Sequence, residues 1–423
     1  MSEQCPKLKT ETRDPAWLRP IHPLSSISLQ LTSRCDLRCS YCTQGTDLAE
    51  CNTEMSSELF RGVREFASKH CVPSVNLGFF GETIARRDWT QRVRELMDAG
   101  LTLHTNSNFA RVLSDEEIDL LSQYGTVMIS IDCMDVALQR DLRPKLDVRT
   151  VLYNSLRLRA RAMATRRNPV ITWTAVLSDK SVGNVKELLW AAAASGINRL
   201  NFNDLIQFDG LNSQLRSIFD LPDAECVRAI EQFKEAVELS KELGIDTGLT
   251  TGMPHLEYYY TQAQRRLKEG TVQRPEAVSC QVIQGRARFH TLPFEPGKTR
   301  ACLQPWTTTT VAATGNVYAC CFNGAVLGTI GKDGSLDDVL NQPAYRQLRD
   351  SLLTGENLNE ACRNCPLASL TTPEDMQQKV KRATSADTAA KDGDSRRRTS
   401  GILRWPGRFG SRIQRLFSRL VGR

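Results

Sequence analysis

Between Ile27 and Phe202 the chain switches six times from a short period-two apolar run to a longer helical one. Ile27, Leu29 and Leu31 have strand spacing, and Leu59, Phe60, Val63 and Phe66 then share a helix face. Val75, Leu77 and Phe79 alternate in the second strand candidate, followed by a helix over 88–99. Strand candidates at 101–105, 127–131, 170–176 and 200–202 continue the rhythm, with helices between them. Ser114 and Glu117 have capping-box spacing at the start of one such helix. Few architectures accept this pattern. Parallel strands joined by right-handed crossovers are expected, and six units fall short of a closed eight-unit barrel. The fold class read here is α/β: a partial (β/α)6 TIM-like barrel, open on one side, with a small C-terminal cysteine-bearing domain. Ligands should gather at the carboxyl ends of its strands.

The rest of the chain divides by composition. Residues 1–26 form an N-terminal extension before the core at 27–205. Residues 206–300 hold helices near 224–243 and 258–268 and a Gly-, Pro- and Arg-rich connection over 270–298. The compact cysteine-bearing unit spans 301–370. Residues 371–399 are polar, without an apolar period, and read as a disordered linker. Residues 400–423 form a basic amphipathic tail. Of the 423 residues, 40% are hydrophobic and 24% charged, which excludes a wholly disordered or collagen-like chain. No apolar run is long enough to span a membrane. The polar start, MSEQCPKLKTETRD, has no signal-peptide core. A cytoplasmic protein is expected.

Net charge is +7, but the last 28 residues hold nine Arg and no Asp, Glu or Lys, so the first 395 carry −2. The basic character belongs to the tail, and no specific nucleic-acid partner is expected. In the tail, Phe409, Ile413, Leu416 and Leu420 fall on one helix face, and Arg408, Arg412, Arg415 and Arg419 are displaced by one residue. With Trp405 at its start, such a helix suits the surface of an anionic membrane, lying in its plane. That expectation places the protein at the periphery of the inner membrane face. A solvated tail, or a helix docked on the body or a partner, competes with it.

Fourteen cysteines are many for a reducing compartment, where clustered thiols more often bind metal or do chemistry than form disulfides. Cys35, Cys39 and Cys42 follow the first strand with spacing C-x3-C-x2-C. Three thiolates on one loop can hold three corners of a [4Fe–4S] cube, leaving the fourth iron for a non-protein ligand. Structural zinc would want a fourth Cys or His, and Cys51, nine residues on, keeps that reading open. Later, Cys302 and Cys320 flank Gly315 as C-x12-G-x4-C, and Cys362 and Cys365 form CxxC. Four cysteines in two pairs suit a closed four-ligand site, for zinc or a [4Fe–4S] cluster. Cys5, Cys51, Cys71, Cys133, Cys226, Cys280 and Cys321 lack such a pattern, and most should pack as small hydrophobes. Cys280 is a further candidate to approach either cluster. Cys321 adjoins Cys320, and neighbouring strand residues face opposite ways, so only one of them should ligate.

The first loop, with Tyr41 just before its third cysteine, resembles the signature of the radical S-adenosylmethionine (SAM) enzymes. The resemblance implies that SAM chelates the open iron and is split reductively to methionine and a 5′-deoxyadenosyl radical, which abstracts a substrate hydrogen. Phe80-Gly81-Glu82-Thr83 is similar to the family's Gly-Gly-Glu-Pro motif for the SAM amino group, departing from it at Phe80 and Thr83. An ordinary β-to-α turn is the plain alternative. Asn106, Ser130 and Arg143 resemble further SAM-site positions, Arg143 for the carboxylate, although polar residues at strand ends also cap helices. The second cluster resembles the auxiliary-cluster domains called SPASM and twitch, with Cys320 the ligand of the 320–321 pair, and four cysteines fit the one-cluster twitch form. A four-ligand auxiliary [4Fe–4S] cluster has no open iron and so implies electron transfer. The resemblance covers roughly 27–370 and implies an electron donor such as flavodoxin or ferredoxin.

The activity expected is radical SAM oxidation or epimerisation of a small molecule, sugar-like substrate or glycolipid, because no peptide-recognition module is evident before Ile27. A peptide-modifying maturase is the alternative within the family. A non-catalytic zinc-binding interaction protein is the alternative outside it, but it leaves the six β/α units unexplained. No residue is singled out as catalytic.

Overall fold

The computed structural model describes residues 15–44, 52–78, 80–270 and 273–392. Six parallel strands carry the first half of the chain: β1 (Ser26–Leu29), β2 (Ser74–Leu77), β3 (Thr102–Ser107), β4 (Thr126–Ser130), β5 (Val170–Leu177) and β6 (Arg199–Asp204). Each pairs with the next in chain order, with Ile27 opposite Val75, Val75 opposite Leu103 and Trp173 opposite Leu200. Helices alternate with them, including Ser57–Lys69, Trp89–Asp98, Asp115–Leu121, Val148–Ala164 and Val185–Ala194.

These helices begin where the sequence offers a cap. The Ser56 hydroxyl accepts from the Leu59 N–H, and Ser114 and Glu117 form a reciprocal capping box. Phe60, Val63 and Phe66 are buried against the sheet. The strands alternate: Leu103, Val127, Ile129, Trp173 and Phe202 are buried in the main apolar core. Asn76, His104, Asn106, Ser130, Thr174, Asn201 and Asn203 occupy the opposite register positions. Parallel strands covered by apolar layers on both faces read as continuous hydrophobic runs. The alternation here means that one face of the sheet looks onto a polar interior.

The remaining strands are β7 (Gln207–Phe208), β8 (Asp246–Thr250), β9 (Val278–Val282), β10 (Gly285–Phe289), β11 (Thr299–Arg300), β12 (Thr308–Val311), β13 (Asn316–Tyr318), β14 (Gly328–Thr329) and β15 (Leu370–Thr371). The main sheet runs β14-β13-β12-β1-β2-β3-β4-β5-β6-β8. Both β8 and β12 are parallel to their core neighbours, with Arg199 opposite Asp246 and Ser26 opposite Thr308. The partial barrel therefore has a parallel strand added at each edge. Its ends remain apart, as expected of an open barrel.

Three expectations change. Residues 206–300 are more than a connection, because they supply β8 and the β9–β10 hairpin. The polar sequence of β8, Asp-Thr-Gly-Leu-Thr, carries no apolar run to announce a strand. The 301–370 unit is not separate from the barrel, because β12 joins β1 directly. The 371–399 stretch is helical over Pro373–Asp392. Met376 and Val380 are buried there beside Trp306, Leu352 and Leu353, with Ala383 packed on the same side. Their spacing of 4 and 3 residues is a helix face, diluted by polar neighbours. The basic tail, Cys5 and Cys51 lie outside the described residues.

Candidate functional site

The three-cysteine loop leaves β1 at the carboxyl edge of the sheet and is fixed by its own backbone. The Cys42 N–H donates to the Cys39 carbonyl, the Ser40 N–H and hydroxyl both donate to the Leu142 carbonyl, and Leu37 is buried. From β2, Gly81 lies beneath the loop. Its φ is +78°, and a Cβ there would stand 2.3 Å from the Thr32 carbonyl oxygen. Only glycine permits that approach. The next residue completes the junction, with the Glu82 N–H donating to the Arg34 carbonyl at 2.7 Å.

Cys35, Cys39 and Cys42 share one open cleft with Gly81, Glu82, Asn106, Ser130 and Arg143. Glu82 is buried; its Oε2 accepts from the Asn108 N–H at 2.7 Å and its Oε1 from the Ile84 N–H at 3.2 Å. Burial raises its pKa to about 7, outweighing those two donors. Arg143 makes a two-pronged contact with Asp132, 2.7 Å from Nε to Oδ2 and 3.0 Å from Nη2 to Oδ1. Burial opposes that cation, and the Asp132 charge more than restores it, holding the pKa above the usual arginine value. Its remaining Nη1 stands 3.9 Å from Cys39 Sγ. Ser130 Oγ donates to Asn106 Oδ1 at 3.3 Å.

Two residues singled out in the sequence stand elsewhere. Thr83 is buried in the short turn after Glu82 and is absent from the cleft lining. Tyr41 also lies outside the lining; its hydroxyl donates to Asp132 Oδ2 at 2.6 Å and its ring lies 5.4 Å beneath the Arg143 guanidinium. Residues that the sequence did not mark also join the cleft, Asn108 and Gln284 among them. Asn108 donates from Nδ2 to Asp36 at 2.7 Å and faces Cys35 Sγ at 3.8 Å. Gln284, from the β9–β10 turn, also lines it. Asn108 follows β3 directly, so strand-end position was its available signal. Gln284 is remote in sequence and had none.

Cys302, Cys320, Cys362 and Cys365 meet around a second cavity, with Arg300, Phe322 and Asn323. Cys321 is exposed and absent from that lining; both it and Cys320 stand in the bend after β13 and not in a strand, so the alternation expected of them does not apply. Cys280 is fully buried among Val282, Ala287, Phe289 and Phe322 and lines neither cavity. Burial pushes the Cys39 thiol up to about 11 and the Cys302 thiol up to about 12, so metal binding must release protons from both sites. Three thiols around one cleft and four around a second cavity fit a cluster site that leaves one iron open and one whose four irons all take protein ligands.

The SPASM family, an iron-sulfur cluster-binding domain, matches residues 302–366. The sporulation killing factor maturation protein SkfB of Bacillus subtilis (strain 168) is 37% identical over 117 residues, 26% of this chain and 27% of that protein. The PqqA peptide cyclase of Rhodopseudomonas palustris is 29% identical over 106 residues, 25% of this chain and 28% of that protein. The matched segments thus span little more than a quarter of either relative. SuiB of Streptococcus suis, solved bound to S-adenosylmethionine, shares the fold with a TM-score of 0.54 at 14% identity, over 77% of this chain and 68% of that one. Native anSMEcpe with bound AdoMet shares it with a TM-score of 0.52 at 13% identity, over 86% and 99%. The chain thus carries a SPASM-type iron–sulfur cluster-binding domain over residues 302–366 and shares the fold of solved structures that hold bound S-adenosylmethionine.

Proposed function

We propose that the chain is a peptide-modifying radical SAM enzyme, with a [4Fe–4S] cluster on Cys35, Cys39 and Cys42 and a second on Cys302, Cys320, Cys362 and Cys365. The single observation that carries the reading is the convergence of three loop thiols, a buried carboxylate and a fixed guanidinium on one cleft. When bound, the first cluster and SAM supply a 5′-deoxyadenosyl radical that abstracts a substrate hydrogen. Glu82, held by two backbone donors, is the carboxylate assigned to the SAM ammonium. Arg143, held by Asp132, turns its free end toward the cluster loop for the SAM carboxylate. Tyr41 is assigned to holding Asp132 and not to touching SAM. Asn106 and Ser130 present one bonded polar pair from neighbouring strands. The auxiliary site, closed by four cysteines, is assigned to electron transfer. The reductant is a flavodoxin- or ferredoxin-class protein.

A peptide replaces the sugar-like small molecule as the preferred substrate. Its support is the matched SkfB maturation protein and PqqA peptide cyclase, and SuiB solved bound to precursor peptide SuiA, which shares the fold with a TM-score of 0.54 at 13% identity over 82% of this chain and 74% of that one. The test is anaerobic incubation of the reduced holoprotein and SAM with small peptides encoded beside its gene. A change in peptide mass that depends on SAM is expected. Deoxyadenosine formation stimulated by sugars or glycolipids and by none of the peptides would return the substrate to the small-molecule class.

No described helix is long and apolar enough to cross a membrane. A surface role for the Arg-rich tail stays within the same reading. Deleting 401–423 should abolish sedimentation with anionic liposomes, and high salt should weaken it for the full chain. Equal sedimentation of the two proteins would remove that role.

A further inference from the structure

Asn323 touches two of the four auxiliary-site sulfurs at once. Its backbone N–H donates to Cys320 Sγ at 3.3 Å, and its side-chain Nδ2 donates to Cys362 Sγ at 3.3 Å. The orientation of the amide is settled by a third bond. Oδ1 accepts from the Ala325 N–H at 2.9 Å, which leaves only the NH2 end to face the sulfur. The residue is almost wholly buried, at 4% exposure, so water does not compete for these donors. The turn itself is pinned. Asn323 bridges to Val282 at the end of β9, and a Cβ on Gly324 would lie 2.5 Å from the Val282 carbonyl oxygen. At the first site the nearest side-chain donors, Asn108 and Arg143, stand farther from sulfur, at 3.8 and 3.9 Å.

We propose that Asn323 is a positioning residue that raises the reduction potential of the auxiliary cluster by donating hydrogen bonds to two of its cysteine ligands. The proposal rests on the reading of Cys302, Cys320, Cys362 and Cys365 as ligands. An N–H aimed at a thiolate stabilises negative charge on sulfur, and reduction adds one electron and no atom to the cluster. The reduced state therefore gains more from these donors than the oxidised one. The β9–β10 hairpin gives the arrangement a place in the enzyme. Its apolar side packs on Phe322 and Ala361 at the auxiliary site, and its turn residue Gln284 lines the first cleft. Asn323 is thus bridged to an element whose turn also borders the first cleft.

The experiment is a potentiometric titration, followed by electron paramagnetic resonance, of the anaerobic full-length holoprotein and its N323A and N323D variants. Reduced mediator dyes supply the electron. The same titration in the C35A/C39A/C42A background leaves the auxiliary signal alone. N323D keeps the acceptor for Ala325 but has no NH2 to donate; N323A loses both side-chain bonds. The auxiliary potential should fall in N323A and fall further in N323D, where a negative charge replaces the donor. Iron content and the potential of the first cluster should not move. Unchanged auxiliary potentials at full iron content would overturn the proposal. Loss of auxiliary iron from both variants would also overturn it, making Asn323 a residue that retains the cluster. A native protein with no auxiliary iron at all would instead defeat the ligand reading on which the proposal rests.

Discussion

An alanine at position 81 would drive its Cβ into the Thr32 carbonyl, and backbone on two sides prevents relief. The cost combines a left-handed conformation with a clash, about 2 kcal/mol or more. Gly81→Ala should retain the fold but lose about four iron atoms per chain, because the cysteine loop rests on this residue. Asp132 is the complementary case. It is fully buried, and Arg143, Tyr41 and the Val176 N–H all donate to it. Removing its charge strands a buried guanidinium, at a cost of about 3–5 kcal/mol. Asp132→Asn should lower the thermal midpoint clearly while Tyr41→Phe, which removes one donor, lowers it less. Equal midpoints for the two variants would contradict the geometry. That Cys35, Cys39, Cys42 and Glu82 would meet at one strand-end cleft was legible in the sequence, because spacing and strand-end position announce it. The use of Tyr41 was not, because an aromatic beside a cysteine loop reads the same whether it faces a cofactor or holds an aspartate.

The β9–β10 hairpin continues into His290, which is buried between Asp204 at 3.5 Å and Asp220 at 3.3 Å. Arg288 also meets Asp220, at 2.9 Å, and the rings of Phe219 and Tyr259 close around the imidazole. Burial alone would lower its pKa, but the two carboxylates outweigh burial and raise it to about 9. A raised histidine pKa stabilises the fold fully below its ordinary value of 6.5, and that stabilisation is lost as pH rises through about 9. The loss should be on the order of a few kcal/mol. Urea midpoints should fall across this window in the native protein and stay nearly level in His290→Gln. On the acid side, burial would raise Asp220, and His290 and its neighbours hold it below the ordinary range, so stability also falls in strong acid. The helix Pro373–Asp392 offers a simpler test. Val380→Asp would bury an unpaired charge beside Trp306, which should cost about 3 kcal/mol and lower the thermal midpoint. An unchanged midpoint would mean that this helix is not packed as described. Neither element was evident beforehand. The hairpin's alternation of Val278, Cys280 and Val282 was hidden by the Gly, Pro and Arg around it, and the helix shows only a narrow apolar stripe.

Across the whole molecule, local periodicity disclosed the six β/α units, since each strand buries one face and each helix one stripe. It could not disclose that β12, more than 270 residues after β1, pairs with it in parallel. That pairing carries Cys302 and Cys320 on a segment joined to the same sheet as the first cysteine loop. Two iron sites on one sheet are the central claim. Changing Cys362 or Cys365 to Ala should remove about four iron atoms while SAM cleavage persists, because the two sites are separate. The most direct measurement is 5′-deoxyadenosine formed by the anaerobic, reduced protein given SAM, compared with the C35A/C39A/C42A variant. The native chain should hold about eight iron atoms and form deoxyadenosine; the variant should hold about four and form none. Deoxyadenosine formation by the variant, or a colourless native protein holding zinc in place of iron, would contradict the account.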